Sequence, residues 1–534
     1  MTNGAPLIGE VRALLRRATQ VFADQPELLL QLREQLHRLD QPLRVAIAGK
    51  VKAGKSTLLN ALVGEQIAAT DSAECTRVVT WYQNGATPKV VLHPHTGASQ
   101  ELPVCRHDGA LTIELPSSAD EVERLVVDWP SQSLRETTLI DTPGMASTST
   151  HISQRAVTFL TPADDAVTEA DAVVYLMRHL HATDAAFLES FRDRAVSQAS
   201  AANTVAVLSR ADEVGGGRVD AMSSARLIAR RYQSEPVLRG LCQTVVPVSG
   251  LLAVAGRTLR QTEYAALVAL AEAPREEADA ALLSADRFTA AGTVGVNRRG
   301  RSNVDTVSTH TRRELLDRFG LFGVRLAVTL IRQGADSPTA LAVELVRRSG
   351  MHELSHVLQT LFTSRRDLLK ARSALLLVET ALARAEQHAA AENGATRINA
   401  ARRELAAEVE RIVSSAHELA ELWLLSAMRS GEITLPGGLA AEAERLLGGA
   451  GVAPAVRLNL TADAEPAVLR QTALEVLARW QAAAENPLYG RGAAHACRTV
   501  ARSCEGMLAG LSDAAENTTE EQPRDPELAD ASGT

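Results

Sequence analysis

Residues 43–60 read Leu-Arg-Val-Ala-Ile-Ala-Gly-Lys-Val-Lys-Ala-Gly-Lys-Ser-Thr-Leu-Leu-Asn. Val45, Ala46, Ile47 and Ala48 make an apolar run of buried-strand length that stops at Gly49. Apolar residues return at helical spacing at Leu58, Leu59, Leu62 and Val63. Strand, loop and helix in that order frame a full match to G-x-x-x-x-G-K-[ST], a phosphate-binding loop. Gly49 and Gly54 let the backbone curl, so that main-chain N–H groups of Lys50, Val51, Lys52, Ala53, Gly54, Lys55, Ser56 and Thr57 gather round a phosphate. The positive end of the helix that starts at Lys55 adds to the attraction. The Lys55 ammonium is expected at the β- and γ-oxygens, and the Ser56 hydroxyl on Mg²⁺.

Composition bounds the rest. At 534 residues the chain can hold two or more domains with full cores. Its 56 Lys and Arg stand against 64 Asp and Glu without any dense basic block, which speaks against a nucleic-acid partner. The first residues, Met-Thr-Asn-Gly-Ala-Pro, lack the basic-then-apolar order of a secretion signal. No stretch approaches the roughly 20 apolar residues that cross a bilayer. Five scattered cysteines without a CxxC pair suit a reducing cytoplasm. Aromatic residues are only 3%, while Ala and Leu abound, a composition of long helices packed on small side chains.

Ahead of the phosphate loop, apolar positions from Ile8 to Leu36, broken near Gln25-Pro26, predict two helices whose buried face meets the later helical region. After it, 76–82, 89–92, 111–115, 137–141, 172–176, 204–208 and 244–248 read as strands, with helices near 184–198 and 219–234. Alternating strands and helices predict an α/β fold with a mainly parallel sheet covered on both faces and its ligand at the carboxyl ends of the strands. From about 258 onward a 3.6-residue periodicity takes over, and the chain reads as an elongated all-α bundle. The tail 513–534, with seven acids, one Arg and two prolines, is expected to be disordered.

Three further motifs narrow the chemistry. Asp141-Thr142-Pro143-Gly144 ends an apolar strand, where the Asp can hold a magnesium-bound water and the Gly144 N–H can sense a γ-phosphate. Thr76, between the two motifs, can complete the Mg²⁺ shell and contact the attacking water, with Thr70 and Thr80 as alternatives and a plain strand-start residue as the bland reading. Ser209-Arg210-Ala211-Asp212 stands where N/T-K-x-D would read a base. Asp212 can accept from guanine N1–H and N2–H₂, donors that adenine lacks there. The Arg210 stem can lie beneath the purine, and a backbone N–H at Ser249-Gly250 can meet guanine O6.

Together, Gly-Lys-Val-Lys-Ala-Gly-Lys-Ser-Thr-Leu-Leu-Asn-Ala-Leu, Thr76-Arg77, Asp-Thr-Pro-Gly and Ser-Arg-Ala-Asp, with long helices before and after, resemble the bacterial dynamin-like GTPases. Stretches such as 209–222, 245–253 and 318–323 resemble the mycobacterial isoniazid-inducible group of that family. The resemblance implies N-terminal helices over 1–40 that pack with the neck, a P-loop GTPase domain over 41–257, and a helical neck and trunk over 258–512. It also implies GTP and GDP as ligands, hydrolysis coupled to membrane remodelling, a lipid surface as partner, and self-association through G domains or pairing with a related dynamin-like chain. The expected place is the cytoplasm, peripherally on the inner face of the cell membrane. The expected catalytic residues are Lys55, Thr76 and Lys52, and the expected metal ligands Ser56, Thr76 and Asp141.

Other readings remain open at this level. One is a nucleotide-binding scaffold that barely hydrolyses GTP and pairs with an active relative. A membrane-contact segment is placed near 319–350, where 319–331 is apolar and flanked by cations, although a buried bundle helix fits the same pattern. His352-Glu353-Leu354-Ser355-His356 matches the zinc-protease H-E-x-x-H, but Leu354, Val357, Leu358 and Leu361 make the apolar stripe and turn both imidazoles to the polar side.

Eukaryotic dynamins carry Gln-Ser where this chain has Val51-Lys52. Val51 cannot orient water, and the hypothesis for Lys52 is that its ammonium replaces a monovalent cation at the phosphates, against a solvated-surface reading. It predicts similar GTP turnover in potassium, sodium and choline salts for the wild type, and potassium dependence appearing in Lys52→Ser. Strong potassium dependence already in the wild type contradicts it.

Overall fold

The computed structural model describes residues 5–68, 77–107, 109–144, 168–190, 203–290, 307–391 and 400–520. Two compact units emerge, Met1–Val413 and Ser414–Thr534. The first is built on a nine-stranded sheet. Its strands are β1 (Leu43–Gly49), β2 (Val79–Asn84), β3 (Lys89–Pro94), β4 (Gln100–Leu102), β7 (Val122–Trp129), β8 (Thr137–Asp141), β9 (Ala172–Met177), β10 (Thr204–Ser209) and β11 (Val245–Val248). β5 (Cys105–His107) and β6 (Ala110–Thr112) form a separate antiparallel ribbon, so the strand expected over 111–115 is real but lies outside the main sheet.

The spatial order is β11-β10-β9-β1-β8-β2-β7-β3-β4. From β11 to β8 every pair is parallel, and β1, β9, β10 and β11 are buried at every position. Helices cover both faces of such strands, which is why they read as unbroken apolar runs. Beyond β8 the sheet turns mixed: β2 runs antiparallel to β8, parallel to β7, and β3 antiparallel to β7 and β4. β7, Val-Glu-Arg-Leu-Val-Val-Asp-Trp, has no counterpart in the sequence reading. Its Glu123, Arg124 and Asp128 hide the run, yet they sit at exposed or half-buried positions that alternate with buried Val122, Leu125, Val127 and Trp129. Arg124 and Arg44 flank the Trp81 ring at 5.3 and 4.7 Å.

The two N-terminal helices, Ala5–Val21 and Pro26–Arg38, break where Pro26 opens the second. The first packs along the helix Arg366–Ala391, and its outer face carries ion pairs Arg17 to Glu408 and Glu10 to Arg411. A buried polar knot ties this layer to the sheet. Asp171 at the start of β9 accepts from the Arg38 guanidinium (2.9 Å) and the Arg44 N–H (2.9 Å). Lys370 donates to the carbonyls of Arg38 (2.8 Å), Leu39 (3.3 Å) and Gln41. Burial lowers its ammonium to about 8.

Phe319, Phe322, Val324, Leu326, Ala327, Val328 and Leu330, on the helix Thr309–Arg332, lie in the main core. The apolar face of 319–331 therefore meets protein, in keeping with the buried-bundle-helix reading of that stretch. Further along, Arg347 and Arg348 are paired with Glu344. The last helix, Arg491–Glu520, runs past 513, where the disordered tail was expected to begin, because Ala514, Ala515 and Glu516 sustain helix propensity. The second unit packs Leu424, Leu446, Trp480, Val500 and Cys504 into its own core beside a bidentate Arg457–Glu421 pair at 2.8 and 3.0 Å. Among the described residues no helix is long and apolar enough to cross a membrane.

Lys370→Ala would leave three backbone carbonyls without their donor. The expected loss is about 3 kcal/mol in urea denaturation, with Lys370→Arg losing less; a change below about 0.5 kcal/mol would show the knot to be unimportant.

Candidate functional site

Parallel pairing sets the site. Register places Ile47 beside Asp141 and Gly49 beside Leu176, while Ser209 pairs with Val248, so the carboxyl ends of five strands share one edge. There the chain from Gly49 turns into the helix Lys55–Val63, capped by Gly54 in the left-handed region at φ 92°. A Cβ on Gly49 would stand 2.5 Å from the Leu176 carbonyl oxygen, so only glycine passes between these strand ends.

Lys55 folds back over this turn. Its Nζ lies 3.3 Å from the Gly49 and 3.4 Å from the Lys50 carbonyl oxygen, and burial lowers its ammonium below the usual value, opposed by Asp141. Ser56 donates to Asp141 Oδ2 at 2.7 Å. Burial pushes the Asp141 carboxyl up, against the pull of Lys55 and Ser56. Its Oδ1 is shielded from solvent and accepts no hydrogen bond. A hydroxyl oxygen and a carboxylate with one oxygen left without a partner are hard donors of the kind a small divalent cation takes.

Asp141-Thr142-Pro143-Gly144 rests directly on the phosphate loop. Thr142 bonds the Ile47 carbonyl through both N–H (3.3 Å) and hydroxyl (2.9 Å). A Cβ on Gly144 would come within 2.7 Å of Val51 Cγ2 and 3.2 Å of Lys55 Nζ. Val51 and Lys52 sit on the outside of the loop, Val51 49% exposed and Lys52 in the left-handed region at φ 62°. Lys50 is turned elsewhere: its Nζ pairs at 3.0 Å with Asp184, a residue no motif had marked. Asp184 is 1% exposed and also accepts from the Tyr175 hydroxyl (2.7 Å) and the His181 N–H (3.0 Å). Thr76 and Thr70 lie outside the described residues. Thr80 is buried in β2 and bonded to the Val78 carbonyl, away from any ligand role.

At the other end, a cavity of about 250 Å³ runs from Ala53, Gly54 and Thr57 to Arg210 and Asp212. Asp212 is 8% exposed; burial raises its carboxyl, and the Ser249 hydroxyl donating to it lowers it. Arg210, left-handed at φ 50°, bonds Glu213, which also pairs with Arg178. Ser209 anchors the turn by donating to the Met177 carbonyl at 3.3 Å. The Ser249 N–H is already given to the Ser349 carbonyl at 2.9 Å. Of the pair expected to offer an N–H to a base oxygen, Gly250 is therefore the one whose N–H is still to be placed. A Cβ on Gly250 would stand 3.4 Å from Thr57.

His352 and His356 are exposed on the helix Met351–Leu361, and among the described residues no group of three or more His, Cys, Asp or Glu could hold a metal ion. Both imidazoles thus lie on the exposed side of the helix, opposite the apolar stripe.

The Dynamin family profile matches residues 45–210. Isoniazid-induced protein IniC of Mycobacterium tuberculosis is 39% identical over 512 residues, covering 94% of this chain and 98% of that protein. The chain belongs to the bacterial dynamin-like family, close to IniC. A bacterial dynamin-like protein of Nostoc punctiforme is 33% identical over 118 residues, covering 20% of this chain and 17% of its own. A solved structure described as an oligomerised bacterial dynamin pair, tied to long-range sensing and tethering of membranes, is 12% identical and covers 98% of this chain and 76% of its own at a TM-score of 0.29. This dynamin-like chain thus carries the P-loop GTPase domain of its family.

The Lys50–Asp184 pair allows a clean contrast. Asp184→Ala strands the Tyr175 hydroxyl and a backbone N–H and is expected to cost about 3 kcal/mol in chemical denaturation. Lys50→Ala leaves the buried Asp184 carboxylate the Tyr175 hydroxyl and the His181 N–H and is expected to cost less than Asp184→Ala, about 1–2 kcal/mol.

Proposed function

We propose that the protein binds and hydrolyses GTP with Mg²⁺ and couples the cycle to association of G domains and to membrane remodelling. The observation that carries this is a cavity whose walls come from both the phosphate loop and Asp212, while on the same loop Ser56 donates to Asp141. Main-chain amides over 49–57 hold the phosphates and Lys55 neutralises charge between the β- and γ-positions. Ser56 and Asp141 hold Mg²⁺ directly or through water, with Thr76 as a further ligand. The bound ion supplies charge neutralisation at the transferred phosphoryl group. Gly144, packed on Val51 and Lys55, reports a γ-phosphate to the residues that follow it in the chain. Asp212 selects guanine, Arg210 lies along the base, and Gly250 offers an N–H to O6.

In this proposal 41–257 is the G domain and 258–512 the neck and trunk. The partner is a second copy or a related dynamin-like chain, and the place is the cytoplasmic face of the membrane, held peripherally. For lipid contact, the turn between the helices Pro466–Ala484 and Arg491–Glu520 offers Leu488, 88% exposed, next to Arg491.

A second reading, the scaffold that pairs with an active relative and barely turns over, is favoured by Val51, which cannot orient a water. One assay separates them: GTP turnover with Mg²⁺ at rising protein concentration, with and without liposomes, and ATP as control. The proposal expects turnover per molecule to rise with concentration or liposomes, ATP to be ignored, and Asp141→Asn to lose on the order of 10²-fold. Flat, near-zero turnover under all conditions contradicts hydrolysis and leaves the scaffold.

A further inference from the structure

The cavity beside Asp212 is not closed by the strand-and-helix nucleotide fold alone. Asp317, on the helix Thr309–Arg332, lines it as well. Three acidic residues therefore line one space of about 250 Å³. Two of them are already engaged, Asp212 by the Ser249 hydroxyl and Glu213 by Arg178 and Arg210. Asp317 is exposed and has neither a hydrogen bond nor an ion pair among the described residues. An acceptor-only group in this position repels phosphate and suits a ligand portion rich in N–H or O–H donors.

The helix is built to keep Asp317 there. It breaks at Gly320, where φ is 64° and ψ is 169°, and a Cβ on that glycine would lie 3.8 Å from Asp212 Oδ2 and 3.5 Å from Leu251 Cδ2. The positive φ favours glycine, and the break lets the helix pass close over the base-reading turn. On one side of it, Arg318 donates to the Thr258 carbonyl (2.8 Å) and hydroxyl (3.0 Å) and pairs with buried Glu263. On the other, Arg325 donates to the carbonyls of Gly216 and Gly217, in the loop after Asp212, and to those of Leu282 and Leu283. Asp317 thus sits directly beside an anchored arginine, on a helix whose break at Gly320 is held on both sides, while its own carboxylate stays unpaired.

We propose that Asp317 is a nucleoside-recognition residue, contributed by a helix outside the G domain, that accepts a hydrogen bond from a donor on the bound guanine nucleoside. The inference rests on the reading of the cavity as a guanine nucleotide site. The donor is either the guanine N2 amine or a ribose hydroxyl, and GDP analogues separate the two. Asp317 is exposed and unpaired, so Asp317→Asn is expected to fold as the wild type does, which a circular-dichroism melt verifies.

The test is calorimetric binding of GDP, IDP and 2′,3′-dideoxy-GDP to the full chain, as wild type, Asp317→Asn and Asp212→Asn. The expected result is that Asp317→Asn weakens GDP by at least about tenfold. It should leave unchanged the affinity for one analogue: IDP if the amine is the donor, dideoxy-GDP if a ribose hydroxyl is. Unchanged or tighter GDP binding by Asp317→Asn, or equal loss for all three nucleotides, overturns the inference. If Asp212→Asn loses GDP while Asp317→Asn does not, only the role of Asp317 falls. If the wild type binds none of the three, the guanine-site reading falls with it.

Discussion

The register of β1 against β8 is the constraint on which the site depends. With Ile47 beside Asp141, a carboxylate is delivered to the first turn of the helix Lys55–Val63, where Ser56 meets it at 2.7 Å. A slip of one residue would turn Asp141 to the opposite face of the sheet, because side chains alternate along a strand. The burial that gives the sheet its cohesion also makes a lone charge there expensive. Lys55 and Ser56 are what make Asp141 tolerable, and its free Oδ1 leaves one acceptor directed at the site.

The same economy recurs one strand further on. Asp184, nearly inaccessible, is supported by three donors and in turn holds Lys50 off the phosphate face of its loop. At the far end of the sheet, Asp171 and Lys370 bind the segment between the N-terminal helices and β1 to the start of β9 and to the long helix Arg366–Ala391. Movement of that helix cannot be independent of the strand that leads into the phosphate loop, since the Arg38–Gln41 carbonyls are its anchorage. Near Asp212, the Ser349 carbonyl accepts the Ser249 N–H and Arg325 donates to the Gly216 carbonyl. Helices downstream of the G domain thus touch both ends of the nucleotide fold.

Much of this was legible in the sequence, for identifiable reasons. The phosphate loop is contiguous and each of its residue types is demanded by geometry, so Gly49, Gly54, Lys55 and Ser56 could be read directly. β1, β9, β10 and β11 are buried on both faces and announce themselves as apolar runs. β7 did not, because charges at its exposed positions break the run, and one of them, Arg124, gains its place by stacking on Trp81. The apolar stretch 319–331 carried the right periodicity but not the identity of what covers it, and the cover is protein core. Asp184 and Asp317 belong to no local pattern; each matters through a partner or cavity brought near only by the fold.

The central claim is that one cradle of main-chain amides and one buried aspartate together define a guanine nucleotide site. Titration calorimetry of the purified chain with GTP, GDP and ATP in the presence of Mg²⁺ tests it most directly. The account predicts one-to-one binding of both guanine nucleotides and no heat from ATP. Equal binding of ATP, or silence toward GTP and GDP, would contradict it.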